Sequence, residues 1–559
     1  MSMLWWLHTG VCLHERKFSN NITTKNSTGD HAGFNRRLFW LPLPLILLLQ
    51  AITSLFALRN TAFQDEALYL SAGQQIFLSW EGKTSYLEPY GLYFSGYPSF
   101  YPVMAGVLDL LGGLEAARLF SLLCMLIVTT CVYCMTLQFF ERKSALVAAF
   151  LFACEGSVLF LGRLATYDAL CCCLLALAVI LCLRAGKAAS TRWCLALGPL
   201  LVLQVAAKYA GLLFVPTVLA LLAWWSWKHQ GRKGMLVRLK ITLFSLGVVG
   251  FIALMDLDQQ AFTGLSVTTI NRVSFTNTPP IMVIEHIALV EGIFFGLGFL
   301  ALLFCGRQRL LIWLLLFGSA LLVPFYHTYK GELISLDKHL AFSMFFLAPL
   351  AGCTIVSLAG LLQKYTVGLS WVAAGALCLL TLPPGLVQAS ALYEGWPSDT
   401  QLTAFLRPRV HKAMGHYLAE DFYVLRYNLE DETDMWQWSS LDYFVYTDKD
   451  KHYLSGEAAY RSAIQDGYFD MIELSYGYHT ALALQINQSL TASQHYDLIA
   501  RIPFHSSYGD GAFWVWSKHA GVPNGAANAI AGPHRSRQYV LPRKLFYITK
   551  TEQVAILNF

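Results

Sequence analysis

Two adjacent carboxylates, Asp65-Glu66, stand in the stretch RNTAFQDEALYLSAGQQIF. Leu68, Ala72 and Ile76 recur behind them at helical spacing, so the pair opens a short helix. An acidic first turn is an ordinary complement to a helix dipole. It also has the make-up of a general base with a second acid beside it. Further on, Gly162-Arg163-Leu164-Ala165-Thr166-Tyr167-Asp168 places an Arg and an Asp five residues apart. They either neutralise each other or present a cation to a phosphate and a carboxylate to a hydroxyl. Lys208-Tyr209 interrupts the apolar run VAAKYAGLLFVP, where a lysine either snorkels to headgroups or holds an anion. Arg272, Lys330, Asp337, Lys338 and His339 continue the series. Glu155 lies inside an apolar run, which marks a functional group or a partner for Arg163. Carboxylates beside isolated cations suit an anionic substrate. The cations hold a phosphate leaving group and stabilise its developing charge. A carboxylate takes the proton of an acceptor hydroxyl.

The elements that must position these groups are membrane helices. Of 559 residues, 56% are hydrophobic and 13% charged, against about 25% charged in an average soluble protein. Disordered, collagen-like, coiled-coil and ordinary cytosolic classes are thereby excluded. A span needs roughly 20 apolar residues. Eleven stretches qualify: about 38–58, 116–139, 144–162, 169–184, 193–207, 210–228, 236–255, 284–305, 309–326, 339–361 and 367–388. No signal peptide precedes them, because 37 mostly polar residues come first. A twelfth stretch, 98–113, holds Pro98, Pro102 and Asp109 and is short, so it reads as an interfacial or re-entrant helix. With that choice 18 Lys/Arg of the first 392 residues fall on one side and 8 on the other. The richer side includes Arg142, Lys143, Arg184, Lys187 and Arg192, and it is cytoplasmic by the positive-inside rule. The chemistry-bearing residues all fall on the opposite, outer side.

The charge balance divides the chain. It is +9 over residues 1–392 and −4 over 393–559. We expect a cytoplasmic tail at 1–37, a membrane domain at 38–392 with a first outer loop at 59–115, and an exported soluble domain at 393–559. The sequons at Asn21 and Asn26 then face the cytoplasm, and the one at Asn487 is exported. All 13 cysteines precede residue 392, mostly inside apolar runs, and read as buried small side chains. In the soluble part 441–447, 468–474, 496–504 and 512–518 read as strands. Residues 456–467, capped by Ser455, and 478–490 read as helices, and Gly509-Asp510-Gly511 as a turn. A small α/β domain fits. Trp436, Trp438, Trp514 and Trp516 suit its core better than a sugar-stacking surface. The stretch after residue 519 looks loosely structured.

The ordered set of motifs resembles the polytopic, lipid-phosphate-dependent glycosyltransferases of the GT-C fold, and within them the protein O-mannosyltransferases and the aminoarabinose transferases. The carriers are Asp65-Glu66 after the first span, the Arg163-x-Ala165-x-x-Asp168 segment, and the step from Lys208 to Pro216. The resemblance covers about residues 38–390. It implies an all-α polytopic membrane protein, GT-C-like; the C-terminal soluble α/β domain, read from its own pattern, matches no feature of the family. It implies a polyprenyl-phosphate sugar donor, a lipid, glycan or protein acceptor, inverting transfer, and an active site at the outer membrane face. Asp65 would be the base. Glu66 and Asp168 would help position acceptor or donor. Arg163, Lys208, Tyr209, Lys338 and His339 would bind substrate, the cations on the phosphate side. The aminoarabinose type carries a Glu-Lys-Pro-Pro-like segment; here Phe94 to Pro102 lacks the charged pair, so that ligand role is not carried over. No metal ligand set is named, and a divalent ion is left open as cofactor. Membrane lipids are partners; nucleic acid is not. The alternative is a transporter or flippase of lipid-linked sugars, which favours repeats and broken midplane helices; no repeat is visible. A non-catalytic scaffold leaves the clustered charges unexplained.

Overall fold

The computed structural model describes residues 42–83, 88–257, 259–269, 271–272, 274, 276–306, 309–362, 375–376, 378–412, 414–442, 444–477 and 479–519. The tail at 1–37, its two sequons, Asp258, Arg307, Lys364, the first residues of the 38–58 span and residues 520–559 lie outside them. Two units are distinguished. Of Met1–Leu45 the described part is 42–45, which is helical; Ile46–Phe559 holds everything that follows.

The helices before the C-terminal domain are α1 Pro42–Ala57, α2 Gln64–Trp80, α3 Tyr101–Phe139, α4 Arg142–Cys154, α5 Gly156–Leu161, α6 Tyr167–Lys187, α7 Arg192–Ala207 and α8 Val215–Asp256. After them come α9 Gln259–Thr268, α10 Pro280–Phe304, α11 Leu310–Ala320, α12 Leu322–Lys330, α13 Leu336–Leu362 and α14 Leu382–Tyr393. Six stretches are long and apolar enough to cross a membrane by length and composition. Three of these are broken, Leu310–Lys330 at Leu321 between α11 and α12 and the other two at glycines. An unbroken 39-residue helix such as α3 would be roughly twice the apolar thickness of a bilayer. Its backbone leaves helical geometry at Gly112 and at Gly113, which has φ +68°. The break separates the 98–113 stretch from the 116–139 span. Gly231, with φ +69°, divides α8 between the 210–228 and 236–255 stretches in the same way. Glu155 interrupts the 144–162 span between α4 and α5. The 367–388 stretch is described only in part.

Close backbone approach ties α2 to the bundle. A Cβ on Gly73 would lie 1.7 Å from the Pro102 carbonyl oxygen of α3, so only glycine fits. Helix α6, with Cys171, Cys172 and Cys173, is almost wholly buried, which accounts for thiols in place of larger side chains. Helix α13 is the most enclosed, buried continuously from Leu336 to Val356.

The C-terminal part is an α/β domain. Its five-stranded sheet runs β2-β1-β5-β7-β6, where β1 is Tyr417–Ala419, β2 Trp438–Ser440, β5 Met471–Leu474, β6 Tyr496–Ser506 and β7 Gly509–Lys518. The first three are mutually parallel and the last two antiparallel. A separate hairpin pairs β3 Val445–Thr447 with β4 Tyr453–Ser455. Helices α15 Thr400–Leu406, α16 Phe422–Asn428, α17 Glu457–Gln465 and α18 Thr480–Ala492 complete it. Every residue of β5 is buried, as expected of a parallel strand covered on both faces. Three sequence expectations need correction. The N-cap of α17 is Gly456 at φ +60°, with no side-chain cap, rather than Ser455, which ends β4. Gly509 and Gly511 lie in β7, and the hairpin turns just before them. The strand expected at 441–447 is described as Val445–Thr447. Trp438, Trp514 and Trp516 are core residues, while Trp436 is exposed.

At the C-terminal ends of β1 and β5, the Glu473 carboxylate accepts the backbone N–H groups of Glu420 at 3.0 Å and Asp421 at 3.1 Å. Burial, with Asp421 and Glu420 alongside, pushes Glu473 well above the usual carboxylate range. Burial, with Glu420 beside it, pushes Asp421 up to about 7. The folded chain thus keeps a proton that the unfolded chain releases above about pH 4. Stability from this pair is therefore full below pH 4 and is lost as the pH rises through about 7, by about 1.4 kcal/mol per pH unit while one proton separates the states. Thermal unfolding of the full chain across pH 4–8 checks this. Glu473→Gln should flatten the slope; parallel profiles for the two proteins contradict it.

Candidate active site

Chain entry into α2 sets the first group. Asp65 and Glu66 occupy its first turn, where the unpaired N–H groups and the helix dipole favour negative charge. Adjacent helix positions point about 100° apart, and the two acids separate accordingly. The Asp65 side chain is about a quarter exposed, and its Oδ2 accepts from Lys338 Nζ at 2.6 Å. Lys338 is buried in the first turn of α13 and also lies over the Phe63 ring. One turn along α2 from Asp65, the Tyr69 hydroxyl donates to the Tyr167 hydroxyl at 2.7 Å. Burial, with Asp65 and Tyr167 beside it, pushes the Tyr69 hydroxyl well up, so it stays protonated.

Asp168, in the first turn of α6, is fully buried. Its Oδ1 pairs with Lys208 Nζ, which rises from the break between α7 and α8 and lies 5.1 Å from the Tyr167 ring centre. Lys208 Nζ also meets His339 Nε2 at 2.6 Å. His339 Nδ1 meets His327 Nε2 at 2.8 Å, and His327 Nδ1 meets the Glu332 carbonyl at 2.7 Å. The carbonyl can only accept, so the tautomers follow in order. His327 Nδ1–H donates to it, His339 Nδ1–H donates to His327, and the ammonium of Lys208 donates to His339 Nε2. Lys208 is thereby aimed by an acid on one side and a wire of neutral imidazoles on the other. Lys338 and His339 are consecutive in the first turn of α13, so the Asp65–Lys338 and Asp168–Lys208–His339 contacts meet at the start of that helix.

Glu66 serves differently. It is fully buried, and its carboxylate accepts from Arg118 Nε at 2.9 Å and Nη2 at 2.7 Å, from Phe63 N at 2.8 Å and from Ala165 N at 2.7 Å. It holds the α1–α2 loop, α3 and the 163–168 segment together. Removing one charge of such a buried pair costs about 3–5 kcal/mol. Glu66→Gln should therefore lower the thermal unfolding temperature markedly, and an unchanged melt would contradict this reading. Arg163 does not pair with Asp168. Its Nη2 meets Glu115 at 2.5 Å, its Nε donates to the Leu58 carbonyl at 3.3 Å, and Nη1 has no hydrogen-bond partner among the described residues. Glu155 does not pair with Arg163 either; it caps α5 by accepting the N–H groups of Ser157 and Val158. Tyr209 is buried, and its backbone N–H donates to the Ser95 carbonyl at 2.7 Å, tying the 94–102 segment to Lys208. Asp337 meets His286 Nε2 at 3.0 Å. Lys330 Nζ donates to the Arg272 carbonyl at 3.1 Å. Sequence reasoning missed Arg118, Glu115 and His327.

The central acids are matched by lysines, a donor set suited to an anion rather than to a divalent ion. Among the described residues one group brings three metal-type ligands together, Asp448, Asp450 and His452 in the β3–β4 turn, within 4.8 Å of one another. Asp448 and His452 there already bond each other at 3.1 Å on the surface.

Residues 98–255 match the family described as dolichyl-phosphate-mannose-protein mannosyltransferase. The fold is similar to that of ArnT from Cupriavidus metallidurans bound to undecaprenyl phosphate, with TM-score 0.54 and 15% identity over 86% of this chain and 98% of that one. The same protein in its apo state gives TM-score 0.52 at 16% identity, over 85% and 97% of the two chains. The archaeal oligosaccharyltransferase AglB from Archaeoglobus fulgidus, in complex with an inhibitory peptide and a dolichol-phosphate, gives 0.51 at 11% identity, over 84% and 74%. The fold is thus of the GT-C type, with a C-terminal sheet-containing domain. No curated protein matches the chain significantly.

Proposed function

We propose that this chain is a membrane glycosyltransferase of the GT-C type, and that it transfers a sugar from a polyprenyl-phosphate donor to an acceptor hydroxyl at the outer face of the membrane. The family match, the fold and the lipid phosphates bound by the two structural neighbours support the class of donor. The observation that carries the reading is the contact of Asp65 with Lys338 beside the Asp168–Lys208–His339 set. The Lys/Arg bias of the loops supports the outer placement.

The reaction runs by displacement at the anomeric carbon. The acceptor oxygen bonds that carbon while its proton passes to Asp65. The bond from the carbon to the phosphate oxygen breaks, and the electron pair leaves with polyprenyl phosphate. Attack and departure occupy opposite faces, so configuration inverts; the logic is that of inverting carbohydrate chemistry. Lys208 and Lys338 stabilise the phosphate charge as it develops. In the resting site Lys338 neutralises Asp65. An arriving donor phosphate competes for that lysine and frees the carboxylate to accept a proton. Asp168 and the two histidines keep Lys208 extended toward the phosphate, Arg163 and Tyr209 flank the donor, and Glu66 fixes the loop that carries Asp65. The acceptor is a hydroxyl of a lipid, glycan or protein. Purified protein incubated with a panel of polyprenyl-phosphate sugars, each together with membrane-lipid, glycan and peptide acceptors, tests the reading. Release of polyprenyl phosphate from at least one donor is expected; intact donors throughout would overturn it.

A further inference from the structure

The exported-type domain rests on α2 through α16. Tyr427 donates to Asp109 at 2.7 Å, and Gln74 of α2 donates to the other oxygen of the same carboxylate at 2.6 Å. Beside this seam lies a cavity of about 120 Å³, lined by Ser71 and Gln75 of α2 and by Lys412, Arg426, Glu430 and Thr433 of the domain. Arg426 is 2% exposed. Its Nη1 pairs with Glu88 and its guanidinium lies 4.6 Å from the Phe422 ring centre. Nε and Nη2 are buried and have no hydrogen-bond partner among the described residues. A fixed, permanently charged guanidinium with two unused N–H groups is an unsatisfied donor, and leaving such groups buried is costly. Lys412 adds a second cation, and the Ser71 hydroxyl, which has no hydrogen-bond partner among the described residues, is a further donor.

We infer that this cavity is a subsite for an oxyanion, a carboxylate or phosphate-type group, borne by the acceptor. Glu430 and Asp434 also border it. Glu430, whose outer edge meets water, is pushed up to about 7 by desolvation and by Asp109 and Asp431, with Lys412 opposing. It is thus the weak acid of the set and can donate a hydrogen bond when protonated. Ser71 and Gln75 lie six and ten residues beyond Asp65, about 9 and 15 Å along the helix axis. An acceptor anchored here presents its reacting hydroxyl roughly that far from its anionic group, a span of about three or four extended residues. The inference rests on the transferase reading for the word acceptor; the anion site stands on its own geometry.

The test uses the full chain in phosphatidylcholine nanodiscs, saturated with polyprenyl phosphate so that the Lys208–Lys338 end is occupied. Inorganic phosphate is titrated calorimetrically. A saturable site is expected, weakened about tenfold by Lys412→Ala and by Arg426→Gln. Lys412 is exposed, so its variant folds even where Arg426→Gln, which strands Glu88, does not. No phosphate binding by the parent chain, or binding unchanged in Lys412→Ala, overturns the inference. Phosphatidylglycerol in the nanodisc that competes the phosphate away identifies a lipid headgroup as the oxyanion's source; no competition assigns it to a soluble acceptor. If polyprenyl phosphate does not bind, the donor reading fails, while loss of phosphate binding in Lys412→Ala still reports this cavity.

Discussion

Asp65→Asn is expected to reduce sugar transfer by about 10²–10⁴-fold while polyprenyl phosphate still binds. The amide keeps the shape of the side chain and an oxygen for Lys338 at the 2.6 Å contact, but it cannot take a proton from the acceptor. Neutralising the carboxylate also relaxes the hold on Lys338, so donor binding should strengthen slightly rather than weaken. A merely structural Asp65 predicts the reverse pattern, with modest loss of stability and unchanged turnover per folded molecule. Single-turnover transfer, measured beside equilibrium binding of polyprenyl phosphate, separates the two.

Lys208→Met should cost transfer about 10²–10³-fold, the usual scale for losing one group that stabilises charge in the transition state. It also strands Asp168, whose second oxygen already lacks a partner among the described residues, so stability should fall by about 3–5 kcal/mol. Lys208→Met combined with Asp168→Asn removes the stranded charge. The double variant should regain most of the unfolding temperature and none of the transfer. Recovery of both together would assign Lys208 to folding alone.

Much of this site was legible before any coordinates. The helix behind Asp65 follows from Leu68, Ala72 and Ile76 at four-residue spacing, and the glycine pair at 112–113 marks the end of the short helix before the span. Sidedness counting put Asp65, Asp168, Lys208, Lys338 and His339 together, and the structure joins them at one end of the bundle. What the sequence could not supply was pairing. Arg163 and Asp168 are near in sequence, yet the nearer charges in space are Glu115 of α3 and Lys208 of the α7–α8 break. Glu66 looks like Asp65 until its partner Arg118, 52 residues on, is seen to use the carboxylate fully. His327 is one histidine in an apolar helix; its part appears only when α12 and α13 bring it against His339. Strands β1 and β2, three residues each, are too short for any alternation to register.

The central claim is that the network breaks the sugar–phosphate bond instead of carrying the intact donor. Sealed proteoliposomes charged with a polyprenyl-phosphate sugar and an acceptor decide it directly. The account predicts glycosylated product of inverted anomeric configuration, equimolar with released polyprenyl phosphate, and neither with Asp65→Asn. Intact donor changing leaflets at equal rates in both proteins, with no polyprenyl phosphate released, would contradict it.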